Sequence, residues 1–242
     1  MDSLRIFTGA LALLAVVLLS CPSRGQDQRD AAAADNGTAV ASQTIELPAP
    51  RLTGDLSLEE TLATRRSVRS YSGEALTLAD AAQLLWAAQG ITWPERGFRT
   101  APSAGALFPL EVYLAAGSVD GLEPGLYHYL PHDHQLELIA AGDARPALRD
   151  AGVGQAMLTD APATLCLTGV VERTSGKYGE RADGYMRIEV GHAGQNVCLQ
   201  AVALGLGAVT IGAFIDADLA ELLRLPDGEE PLYLIPLGHP AD

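Results

Sequence analysis

The chain has 242 residues, 48% of them hydrophobic, with 30 acidic against 16 basic side chains and a net charge of −14. That apolar content supports a sizeable core and excludes a wholly disordered chain. The acidic excess excludes non-specific binding to nucleic acid or anionic membrane, which needs a surplus of Lys and Arg.

The N-terminus reads as an address. Ile6 to Leu19 carries no charge and leads into Ser20-Cys21, a core too short for a comfortable membrane span but suited to a secretory signal. The Leu18-Leu19-Ser20-Cys21 ending resembles a bacterial lipobox. Residues 1–21 are therefore expected to direct export, with lipid on Cys21 anchoring the protein on the periplasmic or exterior side of a membrane. Residues 22–51 are polar and alanine-rich without apolar periodicity, which predicts a disordered tether. The folded domain is expected over 52–242.

Within that domain, Ser57-Leu58-Glu59-Glu60 has capping-box form and predicts a short helix to about Thr64. It delivers the chain into Arg65-Arg66-Ser67-Val68-Arg69. Thr77 is expected to cap a second helix, whose apolar positions Leu78, Ala81, Leu84, Leu85 and Ala88 keep helical spacing until Gly90. Trp93 to Gly105 is turn-rich. Leu110 to Ala116 alternates like a strand, and Gly125–Leu130 with Gln135–Ala140 predicts a hairpin across Pro131-His132-Asp133-His134, a solvated turn. Ala163–Val171 reads as a buried strand and Met186–Leu204 as a long helix. Ala208–Gly212 predicts a strand, Asp216 the cap of a short helix, and Leu232–Leu237 a final strand. Strands and helices mix without strict βαβ alternation, so an α+β sheet flanked by helices is expected rather than a doubly wound one.

Three segments could carry chemistry. Arg65, Arg66 and Arg69 crowd a helix exit in an acidic chain. Cations there complement the helix dipole, yet guanidinium forks with the Ser67 hydroxyl between them also suit a phosphate; spacing alone does not choose. Pro102-Ser103-Ala104-Gly105, ahead of Pro109, would let backbone approach something flat, or would be an ordinary loop. Ile211-Gly212-Ala213 would present bare amides at a strand end. Cys21, Cys166 and Cys198 have no ligand or disulfide spacing, and no metal is expected; Cys166 and Cys198 read as buried thiols. His192, Gln195 and Asn196 on the long helix read as structural hydrogen-bonding groups.

Taken in order, Arg65-Arg66-Ser67-x-Arg69-x-Tyr71, Leu84-Leu85-Trp86-Ala87-Ala88-Gln89-Gly90, Pro102-Ser103-Ala104-Gly105, Gly125-Leu126-Tyr127-His128-Tyr129, Lys177-Tyr178-Gly179-Glu180-Arg181, Gly191-His192-Ala193-Gly194-Gln195-Asn196 and Gly212-Ala213-Phe214 resemble a SagB-type domain of the nitroreductase superfamily. The resemblance covers about Leu58 to Pro240. It implies a nitroreductase-like α+β fold, a central mostly antiparallel sheet flanked by helices in an interlocked homodimer, with FMN at the subunit interface. It further implies that Arg65 and Arg66 reach the FMN phosphate and ribityl chain with Ser67, and that Arg69 approaches the pyrimidine edge of the ring. Pro102, Ser103, Ala104 and Gly105 would contact flavin from the partner subunit, and Ile211, Gly212 and Ala213 would present backbone to the ring. His239 stands where many relatives have an arginine and is the expected phosphate contact there. Lys177 and Tyr178 match a catalytic pair of azoline-oxidising relatives, which removes a proton while flavin takes the hydride; a lysine base needs burial or nearby cations, of which Arg181 is one. The implied activity is an FMN-dependent oxidoreductase acting on a small molecule or modified peptide. The alternative is a non-catalytic flavin-binding or accessory protein of peptide modification.

Overall fold

In the computed structural model, which describes residues 43–241, the first described element is β1 (Thr44–Glu46). There follow α1 (Leu58–Thr64), β2 (Leu76–Thr77), α2 (Leu78–Gln89), β3 (Ile91–Trp93), β4 (Phe98–Arg99), β5 (Leu110–Ala116), β6 (Val119–Asp120), β7 (Gly125–Leu130) and β8 (Gln135–Ala141). Then come α3 (Arg145–Ala151), α4 (Met157–Asp160), β9 (Ala163–Val170), α5 (Glu172–Tyr178), α6 (Ala182–Ala203), β10 (Gly207–Ala208), α7 (Asp216–Leu223) and β11 (Glu229–Gly238). Seven strands form one sheet in the order β1-β8-β7-β5-β9-β11-β10, every pairing antiparallel. The expected α+β architecture is therefore present, and no described helix is long and apolar enough to cross a membrane.

Alternation along the strands builds a core on each face of the sheet. Val112 and Leu114 of β5, Leu165 and Leu167 of β9, and Ile235 and Leu237 of β11 pack with α2 and α6. Their neighbours Tyr113, Ala115, Cys166 and Leu234 face the other way, toward Leu148 of α3, Leu158 of α4, and Leu219 and Leu223 of α7. β9 is buried on both faces and carries no charge, as a central strand between two helix layers must be.

Some expectations fall outside the described residues, and others need correction. The export signal, Cys21 and most of the proposed tether lie outside the described residues. The tether's end, however, is structured: Thr44, Ile45 and Glu46 pair with Glu137, Leu136 and Gln135, and Leu47 is buried. A three-residue strand shows too little periodicity to be read in advance; its partner strand creates it. His134, expected in a solvated turn, holds this segment, with Nδ1 2.9 Å from Tyr129 Oη and Nε2 2.9 Å from Pro48 O. Asp216 does not cap α7, whose N-cap is Ile215 with no side-chain hydrogen bond. The strand expected over 208–212 is only the two-residue β10 and a lone bridge between Ile211 and Leu234.

The truncation point follows from β1. A chain starting at Leu52 loses Leu47 and the half-buried Ile45, worth about 2–4 kcal/mol together, and bares the edge of β8. Against a chain starting at Ala41 it is expected to melt roughly 5–15 °C lower. Equal melting temperatures by calorimetry would show that β1 contributes nothing.

Candidate functional site

The capping box of Ser57 and Glu60 opens α1, which ends at Arg65, and the chain then turns along the sheet. Val68 N donates to Ala208 O at 3.0 Å, Ser72 N to His239 O at 3.0 Å, and Ala241 N to Ser70 O at 3.0 Å. Residues 65–72 thus lie against β10 and the C-terminal segment. Tyr71 locks them in place: its Oη is 2.9 Å from Pro236 O and 3.0 Å from Val68 O, and burial pushes its phenol well above the ordinary range. Gly207 is needed for this approach, since a Cβ there would stand 2.6 Å from Val68 Cβ.

This route gathers the first group of expected site residues. Arg65, Arg66, Ser67 and Arg69 lie beside β10, which leads within a few residues to Ile211, Gly212 and Ala213, while His239 follows β11. Gly212 and Ala213 are exposed and Ile211 is buried. Arg66 is exposed, and its Nη1 donates only to carbonyls, those of Arg65 at 2.8 Å and Ala63 at 3.1 Å. Among the described residues none of Arg65, Arg66 and Arg69 forms a salt bridge. In a chain with 30 carboxylates and net charge −14, three clustered cations without one acidic partner are a conspicuous reserve of positive charge. His239 Nε2 is 4.0 Å from Glu74 Oε1, too far for a hydrogen bond.

The second group forms elsewhere. Pro102 to Pro109 is a loop with left-handed backbone at Gly105 (φ 66°), Ala106 (φ 55°) and Phe108 (φ 46°). Gly105 is the point where the expected pair converges: a Cβ there would lie 2.7 Å from Lys177 Nζ and 2.9 Å from Tyr178 Oη. Lys177 and Tyr178 end α5, a helix the sequence reading did not foresee. Lys177 is exposed on the single chain and Tyr178 is half-buried. The Arg181 guanidinium sits 5.7 Å from the Tyr185 ring, which meets Tyr178 edge-on at 4.9 Å. His192 and Gln195 of α6 are exposed, and Asn196 lines a cleft of about 620 Å³ with Arg51, Leu56, Trp86 and Gln200.

A clamp missed in the sequence fixes α5. Arg173 in its first turn contacts Glu111 Oε1 at 2.5 Å and donates to Phe108 O at 3.2 Å, while His128 Nε2 lies 2.9 Å from Glu111 Oε2. Burial alone would raise the Glu111 carboxyl, but His128 and Arg173 outweigh it and hold it below the ordinary carboxylate range. A depressed carboxyl stabilises the fold above its unfolded pKa of about 4.3, and that contribution is lost as pH falls through the lower folded value. Glu111→Gln is therefore expected to be less stable than the parent at pH 7, with the gap narrowing toward pH 3. Parallel denaturant titrations measure it, and a gap independent of pH would remove the ionic clamp.

Both groups touch α6. Cys198, whose thiol burial raises and Arg65 partly lowers, marks the first, and Glu189, bonded to Ala104, marks the second. Nine residues of helix separate them by about 13 Å. Cys166, fully buried, has its thiol pushed far up by burial, and it remains a packing residue as expected.

The profile of the Nitroreductase family matches residues 62–239. A candidate nitroreductase of Methanocaldococcus jannaschii is 42% identical over 195 residues, 81% of this chain and 96% of that protein. The crystal structure of a candidate nitroreductase from Ralstonia eutropha superposes with a TM-score of 0.72 at 32% identity, covering 82% of this chain and 90% of that one. The microcin B17-processing protein McbC of Escherichia coli is 29% identical over 134 residues, 52% of this chain and 48% of that protein.

Proposed function

The chain belongs to the nitroreductase family of oxidoreductases, and we propose that it is an FMN-dependent member that dehydrogenates an organic substrate and works as a homodimer. The observation that carries the cofactor is the uncompensated cluster of Arg65, Arg66 and Arg69. Guanidinium groups that no carboxylate pairs with among the described residues suit a phosphate dianion, through paired charge-assisted hydrogen bonds, and Ser67 adds a hydroxyl. The exposed backbone at Gly212 and Ala213 can lie close under a flat ring because no large side chain intervenes. Bound FMN supplies reversible two-electron chemistry.

The residues of this chain do the rest. Arg65 and Arg66 bind and orient the phosphate end. Arg69 places a fixed cation toward the ring edge, which favours negative charge there. Lys177 Nζ and Tyr178 Oη, both close to Gly105, would take the proton from one substrate carbon, while the hydride on the adjacent atom would be accepted by bound flavin and a double bond would form between the two atoms. That assignment rests on the likeness to peptide-processing relatives and makes a modified peptide or similar azoline the favoured substrate class. The two groups sit apart on one chain, and exposed Leu52, Leu56, Leu58, Leu62 and Ile188 leave an apolar surface around α1 and α6. Both features support a dimer in which the Lys177 group of one protomer meets the Arg66 group of its partner. Export and lipidation through residues 1–21 belong to the same proposal, and would favour dehydrogenation with a quinone or oxygen as acceptor over a cycle fed by NAD(P)H.

An absorption spectrum of the purified chain from Ala41 onward, with the chromophore released and identified, tests the reading. About one FMN per chain is expected. A colourless protein that refuses added FMN ends it, and bound flavin that no donor reduces would favour a non-catalytic carrier.

A further inference from the structure

Glu189 is a carboxylate only 4% exposed, in the middle of α6, and no lysine or arginine pairs with it among the described residues. A lone buried anion is costly, so its environment must give it something to do. What it holds is the loop. Ala104 N donates to Glu189 Oε1 at 2.7 Å, and the neighbouring Ser103 hydroxyl favours the charged form of that carboxylate. Ser103 Oγ in turn accepts from Phe108 N at 2.8 Å. Glu189 on the helix thus holds the start of the turn 103–108 at Ala104, beside Ser103, whose hydroxyl oxygen holds its end at Phe108.

The turn needs such a tie. Ala106 and Phe108 hold left-handed backbone, a conformation that costs a side-chain-bearing residue free energy and persists only when its surroundings impose it. The residue between them and the tie is Gly105, against which Lys177 and Tyr178 converge. We propose that Glu189 is a positioning residue: its carboxylate fixes the strained turn 103–108 from below, and so sets the surface on which Lys177, Tyr178 and a flavin would meet. The role deepens the flavin reading and rests on it for its functional half only. The structural half concerns this chain alone.

Burial raises the Glu189 carboxyl, opposed by the Ala104 amide, the Ser103 hydroxyl and the nearby His192. The groups facing it are thus two donors and one imidazole, none a fixed cation. What the turn requires from position 189 is an acceptor rather than a charge, and glutamine can meet that need: its oxygen accepts from Ala104 and its amide donates to Ser103 Oγ.

Hydrogen exchange followed by NMR on the apo chain reads the tie directly. In Glu189→Ala the amides of Ala104 and Phe108 are expected to exchange at least tenfold faster, while Glu189→Gln stays within threefold of the parent. Ser103→Ala should free the Phe108 amide and leave that of Ala104 protected, which tests the arrangement even if Glu189→Ala does not fold. Titration with FMN supplies the second readout, with affinity lost about tenfold in Glu189→Ala and kept in Glu189→Gln. Unchanged exchange in Glu189→Ala overturns the proposal, and so does Glu189→Gln behaving like Glu189→Ala. Exchange as expected with no FMN binding in any form, the parent included, would keep the tie and overturn the flavin reading instead.

Discussion

Replacing Arg65 and Arg66 together by alanine is expected to weaken FMN binding by roughly 100-fold or more, with the melting temperature of the apo chain almost unchanged. The size follows from two charge-assisted contacts at about 1.5–3 kcal/mol each, where 1.4 kcal/mol is a factor of ten. The unchanged stability follows from the contacts given up: exposed Arg66 donates only to two carbonyls at the end of α1, contacts water can replace, and half-buried Arg65 forms no salt bridge among the described residues. Arg66→Lys keeps the charge but not the fork, and should fall between parent and alanine. Riboflavin, which lacks the phosphate, supplies the control, since its affinity should be the same in parent and variant. Rising ionic strength should weaken FMN more than riboflavin for the same reason. Fluorescence titration measures all of these. Equal loss for FMN and riboflavin would mean that the arginines shape the pocket rather than bind phosphate, and no loss for either would remove them from the site.

The cluster was visible in the sequence because charge statistics are local: three arginines within five positions of an acidic chain need no structure to be noticed. What the sequence could not say is whether carboxylates would fold against them. Elsewhere in the chain they do, as Glu111 does on Arg173 and Asp183 on Arg187. The route of residues 65–72 past β10 was equally hidden, because it depends on pairings between positions more than 130 residues apart, such as Val68 with Ala208.

Glu189 shows the opposite case, a signal present and passed over. Met186, Glu189, Val190 and Ala193 fall at the spacing of one buried helix face, and all four are buried. A carboxylate at a core position of an otherwise apolar stripe marks a buried polar partner before any coordinates exist. The α5 clamp had no such mark. Glu172–Tyr178 is a seven-residue helix with a glycine inside it and one buried residue, Thr174, so it shows no amphipathic period. It forms because Arg173 reaches the sheet at Glu111. The same reasoning covers β1: both elements are short, and both exist because of a partner distant in sequence. The long elements α2, β5, β9 and α6 were legible because each carries enough turns or alternations to express its period alone.

Lys177→Met and Tyr178→Phe should separate the chemistry from the fold. Positioned acid–base groups contribute about 10²- to 10⁴-fold to a rate, so loss of Lys177 is expected to slow dehydrogenation of an azoline-containing peptide by that order. Bound flavin and melting temperature should not change, because Lys177 is exposed at the end of a helix that Arg173, four residues earlier, anchors to the sheet. The comparison that decides the role is between substrates. Removing hydrogen from carbon requires a base for the proton, whereas reducing a quinone with flavin already reduced by dithionite requires none from Lys177. A variant slow on the azoline and normal on the quinone places the pair on the proton. A variant slow on both would mean that Lys177 and Tyr178 hold the turn at Gly105 in shape, because any acceptor must reach the ring across that surface. A variant slow on neither would leave the pair as a wall of the site, and the substrate class would then have to be sought among acceptors of electrons rather than donors of them.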